Sequence, residues 1–224
     1  MFERYAVFYT PTGALAEFGA SWLGWDSLEG CSVEHPAIDG IDVASVTNRP
    51  RKYGLHGTLK APFRLAQGAD QSQLQNAASR FATQYKPFAI GEVQLRYANG
   101  FVALRPLVRS ALLQAFAGDT VKAFDPFRAP SSDADIARRR KGKLSARHDQ
   151  QLLDWGYPFI FDDFHFHLTV SGGLSKRTAE TVISALHPRV TPFVPNPLMI
   201  DGVTLMGQDA DGMFHQIHRY ALTG

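Results

Sequence analysis

Two short segments, His56-Gly57-Thr58-Leu59 and His167-Leu168-Thr169-Val170, repeat one pattern of residues able to do chemistry. Imidazole titrates near neutrality, so two histidines facing one anion can divide acid–base work. The neutral ring takes a proton from a nucleophile, and the protonated ring gives one to a leaving oxygen. Threonine hydroxyls add donors for oxygens on which charge builds. On a strand, residues two apart share a face. His56, Thr58 and Lys60 should then point one way, and His167, Thr169 and Ser171 should do the same in the second segment. Lys60 and Ser171 are accordingly candidate phosphate contacts. Their competing roles are a solvated rim lysine and the start of the Gly172-Gly173 turn. Gly57 stands on the opposite face from His56 and is small for either of two reasons, a close approach or a crowded layer.

Tyr5 and Tyr9 share a face of the first strand, where tyrosines either stack on a ligand or close the edge of a core. Arg105 closes a strand and has the fork geometry that grips phosphate; a surface ion pair is its competing role. His165-x-His167, with Asp162 and Asp163 upstream, carries a rival reading as a metal-dependent hydrolase. Neither H-E-x-x-H nor H-x-H-x-D-H occurs, so no metal or other cofactor is expected. Cys31 has no histidine beside it in sequence and is not expected to act as a nucleophile. The basic stretch from Arg138 to Arg147 reads as a solvated helix face, with a lid or a nucleic-acid contact as the alternatives.

The elements that must hold these residues repeat as well. Strand-like runs at 4–10, 55–63, 88–97 and 101–107 are joined by helical spacing at 13–25 and 70–85. Asn99-Gly100 marks a hairpin turn. Helices are expected at 109–124 and 131–155, the latter capped by Ser131 or Ser132. A strand at 164–171, a helix at 175–187 and strands at 198–207 and 213–221 follow. Residues 26–53 read as a long loop. His56 answers to His167, Pro87-Phe88 to Pro192-Phe193, Val93-Gln94-Leu95 to Val203-Thr204-Leu205, and Gly100 to Gly212, at separations of 105 to 112. The inference is a duplicated strand–helix–strand–strand unit. One lobe is assigned to 52–107, inserted helices to 109–155 and a second lobe to 163–221. A pseudo-two-fold relation between the lobes would set His56 opposite His167 across a cleft.

Composition narrows the classes. The chain has 224 residues, 45% hydrophobic and 20% charged, as in an ordinary globular domain, which argues against long disorder or a coiled coil. One cysteine excludes an intramolecular disulfide framework. No apolar run is long enough to span a membrane, and the start of the chain does not read as a secretory leader. A cytoplasmic location is expected. A formal net charge of +2 leaves any phosphate chemistry to a local site. A non-catalytic RNA- or nucleotide-binding module is the alternative function, with the basic stretch as its support. Oligomeric state is not legible.

The paired tetrads resemble the two-histidine (2H) phosphoesterase superfamily. The run Lys52-Tyr53-Gly54-Leu55-His56-Gly57-Thr58-Leu59-Lys60-Ala61-Pro62-Phe63 and the stretch Trp155-Gly156-Tyr157-Pro158-Phe159 resemble its branch of bacterial proteins encoded near phosphonate-degradation genes. The resemblance covers nearly the whole chain. It implies a bilobal α+β fold with two antiparallel-type sheets lining a central cleft. It also implies catalytic roles for His56, Thr58, His167 and Thr169, and a small cyclic phosphate or nucleotide-like phosphodiester as substrate.

Overall fold

The computed structural model describes residues 2–224. Its first half runs β1 (Arg4–Tyr9), α1 (Ala14–Leu23), β2 (Trp25–Asp26), β3 (Cys31–Ser32), α2 (Val43–Val46), β4 (Gly57–Phe63), α3 (Gln71–Ala82), β5 (Phe88–Ala89), β6 (Val93–Ala98) and β7 (Phe101–Pro106). The second half continues α4 (Ala111–Phe124), α5 (Asp133–Arg140), α6 (Ala146–Trp155), β8 (Leu168–Thr169), α7 (Lys176–Val190), β9 (Met199–Ile200), β10 (Gly202–Gln208) and β11 (Phe214–Ala221).

Local chemistry accounts for most boundaries. Asp70 and Gln73 form a reciprocal capping box at the start of α3. Ser110, Ser132, Ser145 and Ser175 each accept a backbone N–H at the start of α4, α5, α6 and α7. Asn99 and Gly100 have φ of +56° and +85° between the paired residues Ala98 and Phe101. That is the two-residue hairpin turn whose twist suits flanking strands. The helix expected over 131–155 is two helices. Lys143 has φ +53°, and Ser145 caps a new helix two residues later. The strand expected over 164–171 shrinks to two residues. β8 pairs with Ala103 and Leu104 of β7, and the ladder would next need the N–H that Pro106 lacks. The loop at 26–53 contains the β2–β3 hairpin, α2 and a short 3-10 turn at Arg51–Tyr53.

Two antiparallel sheets carry the architecture, in the orders β11-β10-β1-β4 and β6-β7-β8. The fold is therefore α+β, as expected, but the lobes are not the consecutive units 52–107 and 163–221. The hairpin of each unit joins the sheet of the other. β6 and β7 receive β8 of the second unit and are covered by α7. β10 and β11 extend the sheet of β1 and β4 and are covered by α3. The chain crosses between lobes at β5 and β9, and the crossings pair antiparallel as Phe88↔Ile200 and Ala89↔Met199. Met199 is thus the counterpart of Phe88. Phe193 instead ends a 3-10 turn that follows α7.

Both sheets bury one face in a shared core that includes Val7, Leu59, Leu74, Val102, Phe116, Phe124, Leu168, Val182 and Leu205. Buried Trp22 and Trp25 satisfy their indole N–H groups on the carbonyls of Val170 and Phe214, tying α1 and β2 to both lobes. No helix among the described residues is long and apolar enough to cross a membrane.

Candidate functional site

A cleft of about 430 Å³ opens between the β4 edge of one sheet and the β8 edge of the other. It brings together His56, Thr58, His167 and Thr169, one tetrad from each wall. Each imidazole is held by the same device. The Nδ1 of His56 lies 3.0 Å from the carbonyl of Gly54, and that of His167 lies 2.7 Å from the carbonyl of His165. A carbonyl only accepts, so each Nδ1 carries hydrogen, and each Nε2 is left as the free lone pair of a neutral ring. The Nε2 of His56 is 3.2 Å from the Thr58 hydroxyl. Phe8 stacks under the His56 ring at 4.1 Å between centroids, and Phe101 lies 5.5 Å from His167.

Burial against these rings drives the His56 pKa down to about 4; its bond to Gly54 opposes the fall and His167 adds to it. Burial also lowers the His167 pKa, opposed by the His165 carbonyl and reinforced by Arg105 and His165. Both rings therefore enter the free cleft neutral near pH 7.

The expected contacts divide. Lys60 does not reach the cleft. Val7 pairs with Lys60 while Phe8 pairs with Thr58, so Leu59 is a bulged extra residue and the parity beyond it is reversed. The buried ammonium instead lies 2.6 Å from Asp125, which also binds Arg128 at 2.8 Å. Ala61 and Pro62 take the lining positions. Pro62 is tolerated because β4 is an edge strand.

Tyr5 and Tyr9 are core residues. Tyr5 donates to Gln71, Tyr9 packs on Phe166, and burial raises both phenol pKa values. The residues of β1 on the cleft side are Ala6 and Phe8, in a small cluster with Met206 and Phe214. Ser171 lines the cleft, but its hydroxyl is committed, accepting from the N–H of Val102 and donating to the carbonyl of Gly172. Arg105 is on the correct face of β7 yet lies beyond Phe101, its guanidinium 4.7 Å from that ring centre, in a neighbouring pocket. His165 lines that neighbouring pocket as well, so His165 and His167 do not share a site. No group of three metal-ligating side chains clusters among the described residues.

Gly57 is small because of a close approach. A Cβ there would lie 2.4 Å from Cε2 of Phe166. Glycine lets the back of the first tetrad meet the residue that precedes His167.

Among the lining residues that the sequence reading did not single out are Arg49, Tyr53, Phe101, Arg139 and Tyr157. Arg139 comes from the basic stretch, which is not one solvated face. Arg138 pairs with Asp135, Arg140 with Asp149, and Arg147 with Asp162 and Asp163. Arg139 alone of these turns inward, 4.7 Å over the Tyr157 ring and half-buried. Three of the six cations of the stretch are thus paired with carboxylates close by, which breaks up the track it would offer a polyanion. The Trp155–Phe159 segment was the available signal for Tyr157; nothing local marks Arg49 or Arg139.

One cleft thus holds two imidazoles that each present Nε2, the threonine hydroxyls, and the arginines Arg49 and Arg139. A family profile described as protein of unknown function (DUF1045) matches residues 58–215, and the chain belongs to that family. It is 32% identical over 218 residues to ribose 1,5-bisphosphate phosphokinase PhnN of Janthinobacterium sp. (strain Marseille), covering 93% of this chain and 48% of the relative. It is also 32% identical over 179 residues to the protein of that name from Laribacter hongkongensis (strain HLHK9), covering 77% and 41%. The chain thus spans about half the length of the curated relatives it matches or less. Among solved structures it resembles E. coli LigT complexed with 3′-AMP, with TM-score 0.46, 14% identity and full coverage of both chains. A second, described as a phosphoesterase, gives TM-score 0.43, 14% identity and 99% coverage of each chain.

Proposed function

We propose that this protein is a metal-independent phosphoesterase that opens a small cyclic phosphate borne on ribose or a nucleoside. The observation that carries the reading is the pair of imidazoles, each fixed as the Nδ1–H tautomer and each offering Nε2 to one cleft. The resemblance of the tetrads to two-histidine phosphoesterases supports it, and the names of the curated relatives favour a phosphorylated ribose.

Water attacks phosphorus and forms the new P–O bond while the bond to the leaving sugar oxygen breaks. One water proton passes to the Nε2 of the base, and the acid's Nε2–H protonates the leaving oxygen. His56, the ring driven further toward neutrality, suits the base. His167 is the acid, gaining its proton when the substrate's negative charge arrives. Thr169 donates to a non-bridging oxygen, Thr58 turns its O–H from the His56 Nε2 to another when substrate enters, and Arg49 and Arg139 offset their charge.

The test is turnover, in EDTA, of nucleoside 2′,3′-cyclic phosphates, ribose 1,2-cyclic phosphate and a linear diester, with His56→Ala and His167→Ala in parallel. The expected result is hydrolysis of a cyclic compound, reduced at least 10²-fold in each variant. Turnover that survives either substitution, or that disappears in EDTA and returns with zinc, would sink the mechanism.

A further inference from the structure

A second cavity of about 420 Å³ adjoins the cleft, sharing Asn99 with it and separated from it by Phe101 and its neighbours. Three basic side chains line it, Arg96, Arg105 and Arg109, together with His165, and no carboxylate side chain does so among the described residues. Arg109 is occupied with Gln114 and the carbonyl of Asp162. Arg96 has no carboxylate partner among the described residues. Arg105 has one long bond, 3.4 Å, to the carbonyl of Ala98.

Two buried polar atoms here have no partner at all, the Nε–H of Arg105 and the Nε2 amide of Gln114. The amide cannot simply be turned round, because its oxygen already accepts from Arg109 at 3.1 Å. Both orphans are donors, and a buried unpaired donor costs about 1–3 kcal/mol. Burial disfavours the Arg105 charge, and repulsion from Arg96 adds to it. The Nδ1 of His165 donates to the carbonyl of Asp163, which leaves its Nε2 as another open position.

Unsatisfied donors, two guanidinium groups without carboxylates and the absence of acid call for one kind of occupant, an acceptor-rich anion. The position selects among anions. The Arg105 guanidinium and the His167 ring lie 4.7 and 5.5 Å from the same Phe101 ring centre. A group in this cavity is therefore only a few bonds from one in the cleft.

We propose that this cavity is a second phosphate site, gripped by Arg96 and Arg105 with Gln114 and His165, for a phosphate on the same small molecule whose ester lies between His56 and His167. The inference rests on the reading of the cleft as a phosphate site and adds that the substrate carries two phosphates. The occupied cavity satisfies the orphan donors, and the empty one leaves them exposed to a penalty that discriminates against substrates lacking the second phosphate.

Two measurements test it, and neither needs turnover. Inorganic phosphate is titrated into the protein while imidazole resonances are followed, His167 reporting the cleft and His165 the second cavity. Both should respond in wild type. In the Arg96→Gln/Arg105→Gln variant the His165 response should weaken at least tenfold while the His167 response persists. A His165 signal that stays still while His167 saturates, or one that survives in the variant, overturns the second site. Calorimetry then compares adenosine 3′-monophosphate with adenosine 3′,5′-bisphosphate. The bisphosphate should bind at least tenfold more tightly to wild type, and the variant should lose that advantage while keeping its affinity for the monophosphate. Equal affinities in wild type, or no binding of either compound, overturn the claim that both phosphates belong to one ligand. If the cyclic compounds are not hydrolysed but these responses appear, the chemistry has failed and the second site stands.

Discussion

Gly57→Ala probes the contact that ties the two halves of the cleft together. The added Cβ would lie 2.4 Å from Cε2 and 2.7 Å from Cζ of Phe166. Carbon atoms rest at about 3.5–4.0 Å, so strand and ring must part by roughly 1 Å. Phe166 is buried and braced by Tyr9, which leaves no easy escape. Overpacking of this kind costs about 1–3 kcal/mol. At about 2–4 °C per kcal/mol for a chain of this size, Tm should fall by several degrees.

The larger effect is on the cleft, because residue 57 adjoins His56 and residue 166 adjoins His167. A displacement of about 1 Å between groups that act together can lower kcat by about 10²-fold. KM should change much less, since the rim arginines are untouched. The assay is kcat, KM and Tm for G57A, F166L and the double variant. F166L removes the ring edge that clashes, so the double variant should recover at least tenfold of the kcat lost by G57A, a strong non-additivity. G57A with wild-type kcat and Tm would refute the close-approach argument. A loss that F166L does not relieve would show that the clash is not its cause.

The remaining predictions concern protons and charge. In the free protein one ring must be neutral and one protonated for the proposed chemistry, and both pKa values lie below the ordinary histidine value of about 6.5. The optimum of kcat/KM should therefore fall below about pH 6.5, between the two apparent values of the coupled pair; an optimum above pH 7 contradicts it. The same depressed values make folding weaken as pH drops from about 6.5 toward 4, because the unfolded chain takes up protons that the native rings refuse. Chemical denaturation across that window reads the effect, and stability rising toward pH 4 would refute it. Asp125→Asn strips the carboxylate from buried Lys60 and should destabilise by about 3 kcal/mol, whereas Lys60→Met, which leaves Asp125 with Arg128, should be milder and leave kcat/KM unchanged. A large kcat/KM loss in Lys60→Met would return Lys60 to the cleft. Arg139→Gln should raise KM about tenfold with a smaller change in kcat, and an unaltered KM would remove it from substrate binding.

What could be read from the sequence was periodic, and what could not was tertiary. Two-residue parity correctly set His56 beside Thr58 and His167 beside Thr169, because each histidine directly precedes a regularly paired strand start, Gly57–Thr58 and Leu168–Thr169. It failed two residues later at Lys60, since a bulge is a property of the paired strands and leaves no mark on the strand that carries it. Asn99-Gly100 announced its turn because both residues accept positive φ. The break before α6 was signalled only by Gly142, since the Lys143 that takes positive φ gives no warning of its own. Arg139 was masked by like neighbours; only the carboxylates of Asp135 and Asp149 reveal which cations are already paired. The duplication was legible as an order of elements, but the exchange of hairpins was not, because order along the chain does not say which sheet a hairpin joins.

That exchange governs when the protein can fold. Arg4 on β1 pairs with Gln208 on β10, so the second strand of the main sheet waits for the last stretch of chain. At 5–20 residues per second, a ribosome needs roughly 10–40 s to travel between them. Until β10 emerges, β4 is the one strand paired with β1, and β6–β7 stands without β8 for part of that interval. The pairings that join the two halves of the chain, β1 with β10 and β5 with β9, form late. A stop codon anywhere before the β10–β11 hairpin leaves β1 paired with β4 alone and the core without Val203 and Leu205.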